Sequence, residues 1–234
     1  MNERNNIIQY SDSINQRLTG RHKKSFQFIG NITDKIILDI GCSYGWFEKW
    51  ATENNCRKII GIEPDVDNIK LLNEAIPNVI FKEGSALKVP VENEFFDIVV
   101  MWEVLEHLPK NTEKKALEEI LRVLNPGGSF YLSTPNKTFW SCALDPAWWL
   151  AGHRHYNVNE LNNSLIESGY EIVKIEYGGR FYELFSMILL YIFKWFFRKE
   201  IPFKIWFDKK RDAEFLNDKG FTNVFIKARK SYDQ

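Results

Sequence analysis

Three cysteines are all the chain carries, Cys42, Cys56 and Cys142, and no two of them form a CxxC pair. That scarcity excludes a disulfide framework and a thiolate zinc site, and it suits free thiols in a reducing compartment. Net charge is missing too. Lysine plus arginine and aspartate plus glutamate number 31 each, so no basic excess marks RNA or DNA as a partner. The polar start Met1-Asn2-Glu3-Arg4-Asn5-Asn6 has no secretory apolar stretch, which predicts a cytoplasmic chain. No internal repeat or low-complexity tract is present. Aromatics, in contrast, are plentiful at 15%, with eight tryptophans and eighteen phenylalanines, many of them between Phe139 and Phe207.

The 234 residues suffice for one large domain with an elaborated insertion. From Ile36 to about Tyr131, short apolar runs alternate with helical periods, as in βαβ units around a buried parallel sheet. Strands are predicted at Ile36 to Ile40, Ile59 to Ile62, Val79 to Phe81, Phe96 to Met101 and Ser129 to Ser133. All are too continuously apolar for a sheet with one wet face, so helices must cover both. Ile69, Leu72 and Ile76 form one core-facing stripe, and Leu117, Ile120, Leu121 and Leu124 another. The second helix is expected to stop at Asn125-Pro126-Gly127-Gly128. Asn157 reads as the N-cap of a helix closing before Gly169. Glu171 to Tyr177 and Val224 to Ala228 are expected to pair as an antiparallel edge.

The first strand runs into Asp39-Ile40-Gly41-Cys42-Ser43-Tyr44-Gly45 and then a helix near Trp46, a setting for a nucleotide-like ligand. A dinucleotide fingerprint would need glycines where Ser43 and Trp46 stand, so a pyrophosphate reading fails. The Asp39 carboxylate would repel phosphates and suits a cationic or zwitterionic ligand. About twenty residues on, Glu63 ends the second strand, where an acid can accept hydrogen bonds from both ribose hydroxyls.

The segments IILDIGCSYGWFEKW, IIGIEPD, FKEGSALKVPVENEFFDIVVMWEVLEHLP and LRVLNPGGSFYLSTPN resemble, in order and spacing, the motifs of class I S-adenosylmethionine-dependent methyltransferases, especially the ubiquinone-biosynthesis O-methyltransferase group. The resemblance implies a Rossmann-like α/β fold with a seven-stranded sheet, mostly parallel with an antiparallel last strand, helices on both faces and a hydrophobic helical insertion before that strand. It implies S-adenosyl-L-methionine as cofactor. Asp39, Gly41, Cys42, Ser43 and Gly45 would surround its methionine part, Glu63 and Pro64 its ribose, Ser85 and Ala86 its adenine, and Trp102 and Glu103 its sulfonium. Two departures stand out: the family usually has glycine at the place of Ser43 and often aspartate at that of Ser85.

Methyl transfer needs alignment above all. Should the acceptor be a hydroxyl, His107 is the first candidate base, the other reading being a histidine that packs the turn before Pro109. His153 and His155 are further candidates for base or orienting group. Asp145 with these two could form a metal site, but a polar turn with solvated histidines is preferred, and no metal is assigned.

The expected organisation is an N-terminal helical cover (1–34), a methyltransferase core (35–177), an insertion (178–219) and a last strand with tail (220–234). Within the insertion, Phe181 to Phe197 carries only Glu183 and Lys194 as charges, and its uncharged stretch from Leu184 falls well short of the roughly 20 residues of a membrane span. Phe193 through Arg211 holds seven basic residues against Glu200 and Asp208, interleaved with Phe203, Ile205, Trp206 and Phe207. That pattern suits peripheral contact with an anionic membrane surface, at the inner face, through Phe181 to Arg211. A lid over the acceptor pocket or a dimer interface is the alternative. The expected function is O-methylation of a small or lipid-linked acceptor, such as a quinone precursor or glycan intermediate. Its alternatives are a soluble-metabolite methyltransferase and a non-catalytic S-adenosylmethionine-binding or membrane scaffold protein.

Overall fold

The computed structural model describes residues 18–193, 203–217 and 219–232. In chain order the elements are α1 (Gly20–Ile29), β1 (Ile36–Ile40), α2 (Trp46–Glu53), β2 (Lys58–Glu63), α3 (Val66–Ala75), β3 (Ile80–Glu83), β4 (Phe96–Trp102), a 3-10 turn (Leu105–His107), α4 (Glu113–Val123) and β5 (Leu124–Pro135). There follow α5 (Phe139–Leu144), α6 (Pro146–Ala151), α7 (Val158–Glu167), β6 (Tyr170–Gly178), α8 (Phe181–Ile192), α9 (Lys204–Leu216) and β7 (Asn223–Lys230).

One seven-stranded sheet has the order β3-β2-β1-β4-β5-β7-β6. The first five strands run parallel, and β7 is antiparallel to both its neighbours. The chain winds outward from β1 to β3, then returns to place β4 on the other side of β1. Such a reversal opens a crevice beyond the carboxyl ends of β1 and β4, where α/β sheets bind ligands.

Alternate residues of the central strands feed two cores. Leu38, Ile40, Val99 and Met101 join Leu117, Ile120 and Leu165 of α4 and α7 on one face. Ile37, Ile98 and Val100 join Phe28 of α1, Phe47 of α2 and Leu72 of α3 on the other. Double-sided burial accounts for the unbroken apolar reading of these strands.

The fold agrees with the class expected, and its largest departure is at one boundary. Helix α4 ends at Val123 and Leu124 is already extended, so β5 includes Asn125 to Gly128 and absorbs them as a register shift against β4. Gly127, at φ +75°, makes the bulge that the sequence assigned to a connecting turn.

The insertion forms α8 and α9, and α9 packs on α1 and α8 while α8 meets α5 and α6. Lys194, Arg198, Lys199 and Glu200 of the basic stretch lie outside the described residues, as does much of the expected N-terminal cover (1–17). No helix among the described residues is long and apolar enough to cross a membrane.

Candidate functional site

The loop after β1 takes its shape from left-handed backbone. Gly41, Ser43 and Gly45 have φ of +79°, +46° and +69°. A side chain on Gly41 would meet Val104 Cγ2 at 2.5 Å, so glycine is required there twice over. Ser43 holds the same hand of backbone, which accounts for the preference of the resembled motif for glycine at that place. Glu63 fastens the loop from β2: it accepts from the Ser43 N–H at 3.1 Å and the Asp65 N–H at 3.3 Å. Asn68 Nδ2 donates to the Ser43 carbonyl at 3.0 Å.

Beyond this loop lies a cleft of about 410 Å³ whose walls include Gly41, Ser43, Glu63, Pro64, Trp102 and Glu103. Those six come from three of the expected motifs, and the switch point of the sheet brings them together. Pro64 also borders a second concavity with Gly84 and Ser85. Four other expected residues sit elsewhere: Cys42, Ala86 and Asp39 are 0%, 1% and 2% exposed, and Gly45 is buried against Leu72 and Ile76, all behind the surfaces rather than on them. Helix α1 covers the cleft with Arg21, His22 and Ser25.

Glu103, just past β4, has φ +56°, an unfavourable backbone for a side-chain-bearing residue. Its carboxylate is held by Ser133 Oγ at 2.6 Å, Asn223 Nδ2 at 2.8 Å and Arg21 Nη1 at 3.0 Å. Three anchors on β5, β7 and α1 hold it in that conformation. Trp102 is 7% exposed, and its indole N–H finds no acceptor among the described residues, which leaves a buried donor beside the cleft. An anion-lined, glycine-walled crevice with carboxylates at the ends of β2 and β4 fits a cationic nucleoside. Glu63 would hold ribose hydroxyls, Arg21 a carboxylate, and Glu103 would face positive charge.

A second cavity, of about 180 Å³, adjoins the first, and Arg21, Glu103 and His107 line both. Its far wall is α8, through Leu184, Met187 and Tyr191. His107 and His153 meet there, ring centroids 4.5 Å apart. Burial lowers the pKa of both, and each has a positively ionisable neighbour that adds to this, His153 for His107 and His155 for His153. Neutral imidazole, the form that accepts protons, is therefore favoured at pH 7. Arg154 donates to the Leu105 carbonyl at 3.0 Å, and the Tyr156 hydroxyl to the same oxygen at 2.9 Å, so the segment after α6 clamps the His107 turn.

His155 departs from the expectation of a solvated histidine. It is 7% exposed, with Nε2 2.8 Å from Asp145 Oδ2 and Nδ1 3.6 Å from Cys142 Sγ. Both ring nitrogens are committed, and Trp148 packs on the ring, so this side chain ties α5 and α6 to the strand end. Glu106, beside His107, is 4% exposed and accepts from Thr134 Oγ1 at 2.9 Å. Burial first, then Glu103, pushes its carboxyl well above the usual range.

Arg21, Asn223 and Glu183 were not legible as site residues. Glu183 on α8 is buried between Arg21, at 3.0 Å, and Arg211 of α9, at 2.5 Å. A lone acid in an apolar run was the available signal, since such a residue must find partners when buried.

Against known proteins, the model of the methyltransferase domain family matches residues 14–175. The chain belongs to that family. Its methyl donor is accordingly S-adenosylmethionine, in keeping with the cleft described above. The mitochondrial ubiquinone biosynthesis O-methyltransferase of Dictyostelium discoideum is 30% identical over 122 residues, 45% of this chain and 36% of that protein. The demethylmenaquinone methyltransferase of Lactococcus lactis is 33% identical over 112 residues, 45% of this chain and 44% of that protein. The chain spans less than two thirds of the length of the curated relatives it matches. Among solved structures, an S-adenosylmethionine-dependent methyltransferase from Mesorhizobium loti superposes with a TM-score of 0.65 at 17% identity, covering 93% of this chain and 100% of its own. That likeness concerns the fold.

Proposed function

We propose that this methyltransferase domain methylates a hydroxyl oxygen on the polar head of a lipid-linked acceptor. The observation that carries the reading is the shared wall of the two cavities, where Arg21, Glu103 and His107 border both. S-adenosylmethionine supplies an activated methyl group when bound. The chain's own part is then to orient the acceptor oxygen toward the cleft, exclude water and take up a proton. His107 and His153, with lowered pKa values, suit that last task, and His155 with Asp145 positions the wall behind them.

The second cavity tells something of the acceptor. Carboxyl groups of Glu103, Glu106, Asp145 and Glu183 line it with one arginine, Arg21, so a phosphate or carboxylate would meet repulsion. Hydroxyl groups would find acceptors and donors in abundance. Of a quinone precursor and a glycan intermediate, this lining favours the glycan.

Contact with a membrane is supported by the outward face of the insertion. Phe181, Phe185, Phe203, Ile205 and Trp206 are 50%, 50%, 81%, 67% and 48% exposed, whereas Glu183 and Ser186 are the side chains α8 buries beside Leu184. Helix α8 thus buries two polar groups while leaving large apolar ones outward, which a helix in water does not favour. Lys204, Lys209 and Lys210 accompany the aromatics, as an anionic leaflet requires. The same helix walls the second cavity, so an acceptor head could enter from the bilayer side. A soluble-metabolite enzyme that uses α8 as a lid is the second reading, favoured by Leu184, Met187 and Tyr191 on the cavity wall.

The test is incubation of the protein with methyl-labelled S-adenosylmethionine and separated lipid and aqueous extracts. Label is expected in the lipid fraction, and in water-soluble sugars after acid hydrolysis of that fraction. Label confined to the aqueous extract would contradict the lipid-linked reading, and label left in the hydrolysed lipid would contradict the glycan.

A further inference from the structure

Behind the glycine loop, outside both cavities, two carboxyl groups meet in the core. Asp39 belongs to β1 and Glu48 to the first turn of α2, and they are 2% and 0% exposed. Asp39 pairs with Gly61 across the parallel strands β1 and β2. Paired residues point to the same face, so the missing side chain of Gly61 leaves room beside Asp39. Glu48 Oε1 fills that room, 2.8 Å from where a Gly61 Cβ would stand. Neither Glu48 oxygen nor Asp39 Oδ1 has a conventional hydrogen-bond partner among the described residues.

The charged and titratable groups that face the two carboxyls are each other, Glu63 from β2 and the Cys42 thiol of the loop, and none of these is a cation. Burial pushes Asp39 up to about 8, with Glu48 as a partly offsetting partner and Glu63 adding to the rise. Burial, then Asp39, pushes Glu48 well above the ordinary carboxylate range. Two touching carboxylates with no cation to offset them cannot both ionise. Gly41 and Ser43, which line the cleft, lie two and four residues beyond Asp39.

We propose that Asp39 and Glu48 hold a proton between them in the free protein and release it to solvent when a cationic cofactor seats on the loop, which makes Glu48 a positioning residue for that cofactor. The O–H bond of the shared acid breaks, the proton passes to buffer, and both carboxylates remain ionised behind the loop that carries the new positive charge. The inference rests on the assignment of the cleft to S-adenosylmethionine. It does not depend on the acceptor.

Calorimetric titration tests it without turnover. S-adenosylmethionine is titrated into the full chain near neutral pH in phosphate and in Tris, buffers of unlike ionisation enthalpy. The observed enthalpy should differ between them by up to about one proton's worth of buffer ionisation, and affinity should rise by up to about tenfold per pH unit. His22 is held down at about 4 and His107 is also lowered, so neither supplies the proton in that range. Glu48→Gln keeps the shape, offers Asp39 an amide N–H and should abolish both dependences while leaving the fold unchanged by circular dichroism. Buffer-independent enthalpy in the unaltered chain would overturn the proposal whether or not the variant folds. So would proton release that persists in folded Glu48→Gln. A folded chain that binds no cofactor at any pH would instead overturn the assignment of the cleft.

Discussion

His107 and His153 lie ring against ring, 4.5 Å between centroids and 70° between planes, although one ends the turn after β4 and the other follows α6. His153 adds to the burial that lowers the proton affinity of His107, and the Arg154 and Tyr156 contacts to the Leu105 carbonyl hold the two segments together. His107 borders both cavities, and His153 lines the second beside it.

Replacing His107 with glutamine should lower kcat by about 10² or more if a proton is taken up in the rate-limiting step, with the Kd for S-adenosylhomocysteine unchanged. Because both imidazoles have lowered pKa values, neutral base persists as pH falls below the ordinary histidine value of roughly 6.5. Rate should therefore stay level through that value and fall only at lower pH. Steady-state rates against pH for His107→Gln and His153→Gln test this, and unchanged kcat in both leaves alignment as the mechanism.

Glu183 anchors the insertion. Burial alone would raise its pKa, but Arg211 and Arg21 outweigh that and lower it. A depressed carboxylate stabilises the folded chain above its unfolded pKa, and this contribution is lost as pH falls through the folded value. Glu183→Gln should destabilise by about 1 to 3 kcal/mol, because it removes the buried partner of two arginines that, among the described residues, keep only Glu103 and Asp208. Urea unfolding at pH 7 and at low pH should show the gap between variant and parent closing in acid.

Ser43→Gly should raise stability by up to about 1 kcal/mol by removing a left-handed side-chain-bearing residue, given its φ of +46°. Gly41→Ala should do the opposite and also abolish cofactor binding, since its Cβ would meet Val104. Thermal melts with and without S-adenosylhomocysteine read both effects.

Trp206 and Phe203, 48% and 81% exposed, should carry membrane contact. Liposome flotation with anionic vesicles at low salt is expected to recover the parent chain, and Phe203→Ser/Trp206→Ser to lower that recovery severalfold. No flotation of the parent at either low or high salt would leave α8 as lid or interface.

Much of the sheet was legible because burial on both faces makes β1, β2 and β4 read as unbroken apolar runs, and a stripe such as Leu117, Ile120 and Leu121 fits the helical period and no strand alternation. Residues at the ends of those strands were legible for the same reason: Gly41, Glu63 and Glu103 follow elements that periodicity locates. Arg21 and Asn223 were not, because each reaches the site from an element distant in sequence, and nothing local distinguishes a site arginine from a solvated one. His155 misled as a polar-turn residue, since its burial depends on Asp145, Cys142 and Trp148 closing around it. Leu124 misled in another way, its apolar side chain continuing the helical stripe while its backbone had already turned extended.

Acceptor placement and proton uptake both depend on S-adenosylmethionine occupying the crevice between β1 and β4. Titration of S-adenosylhomocysteine into the parent chain and into Glu63→Ala measures that occupancy. One site per chain is expected in the parent, with at least a tenfold loss of affinity in folded Glu63→Ala, about 1.4 kcal/mol. Absence of binding to the folded parent, or equal affinity in the two, would contradict it.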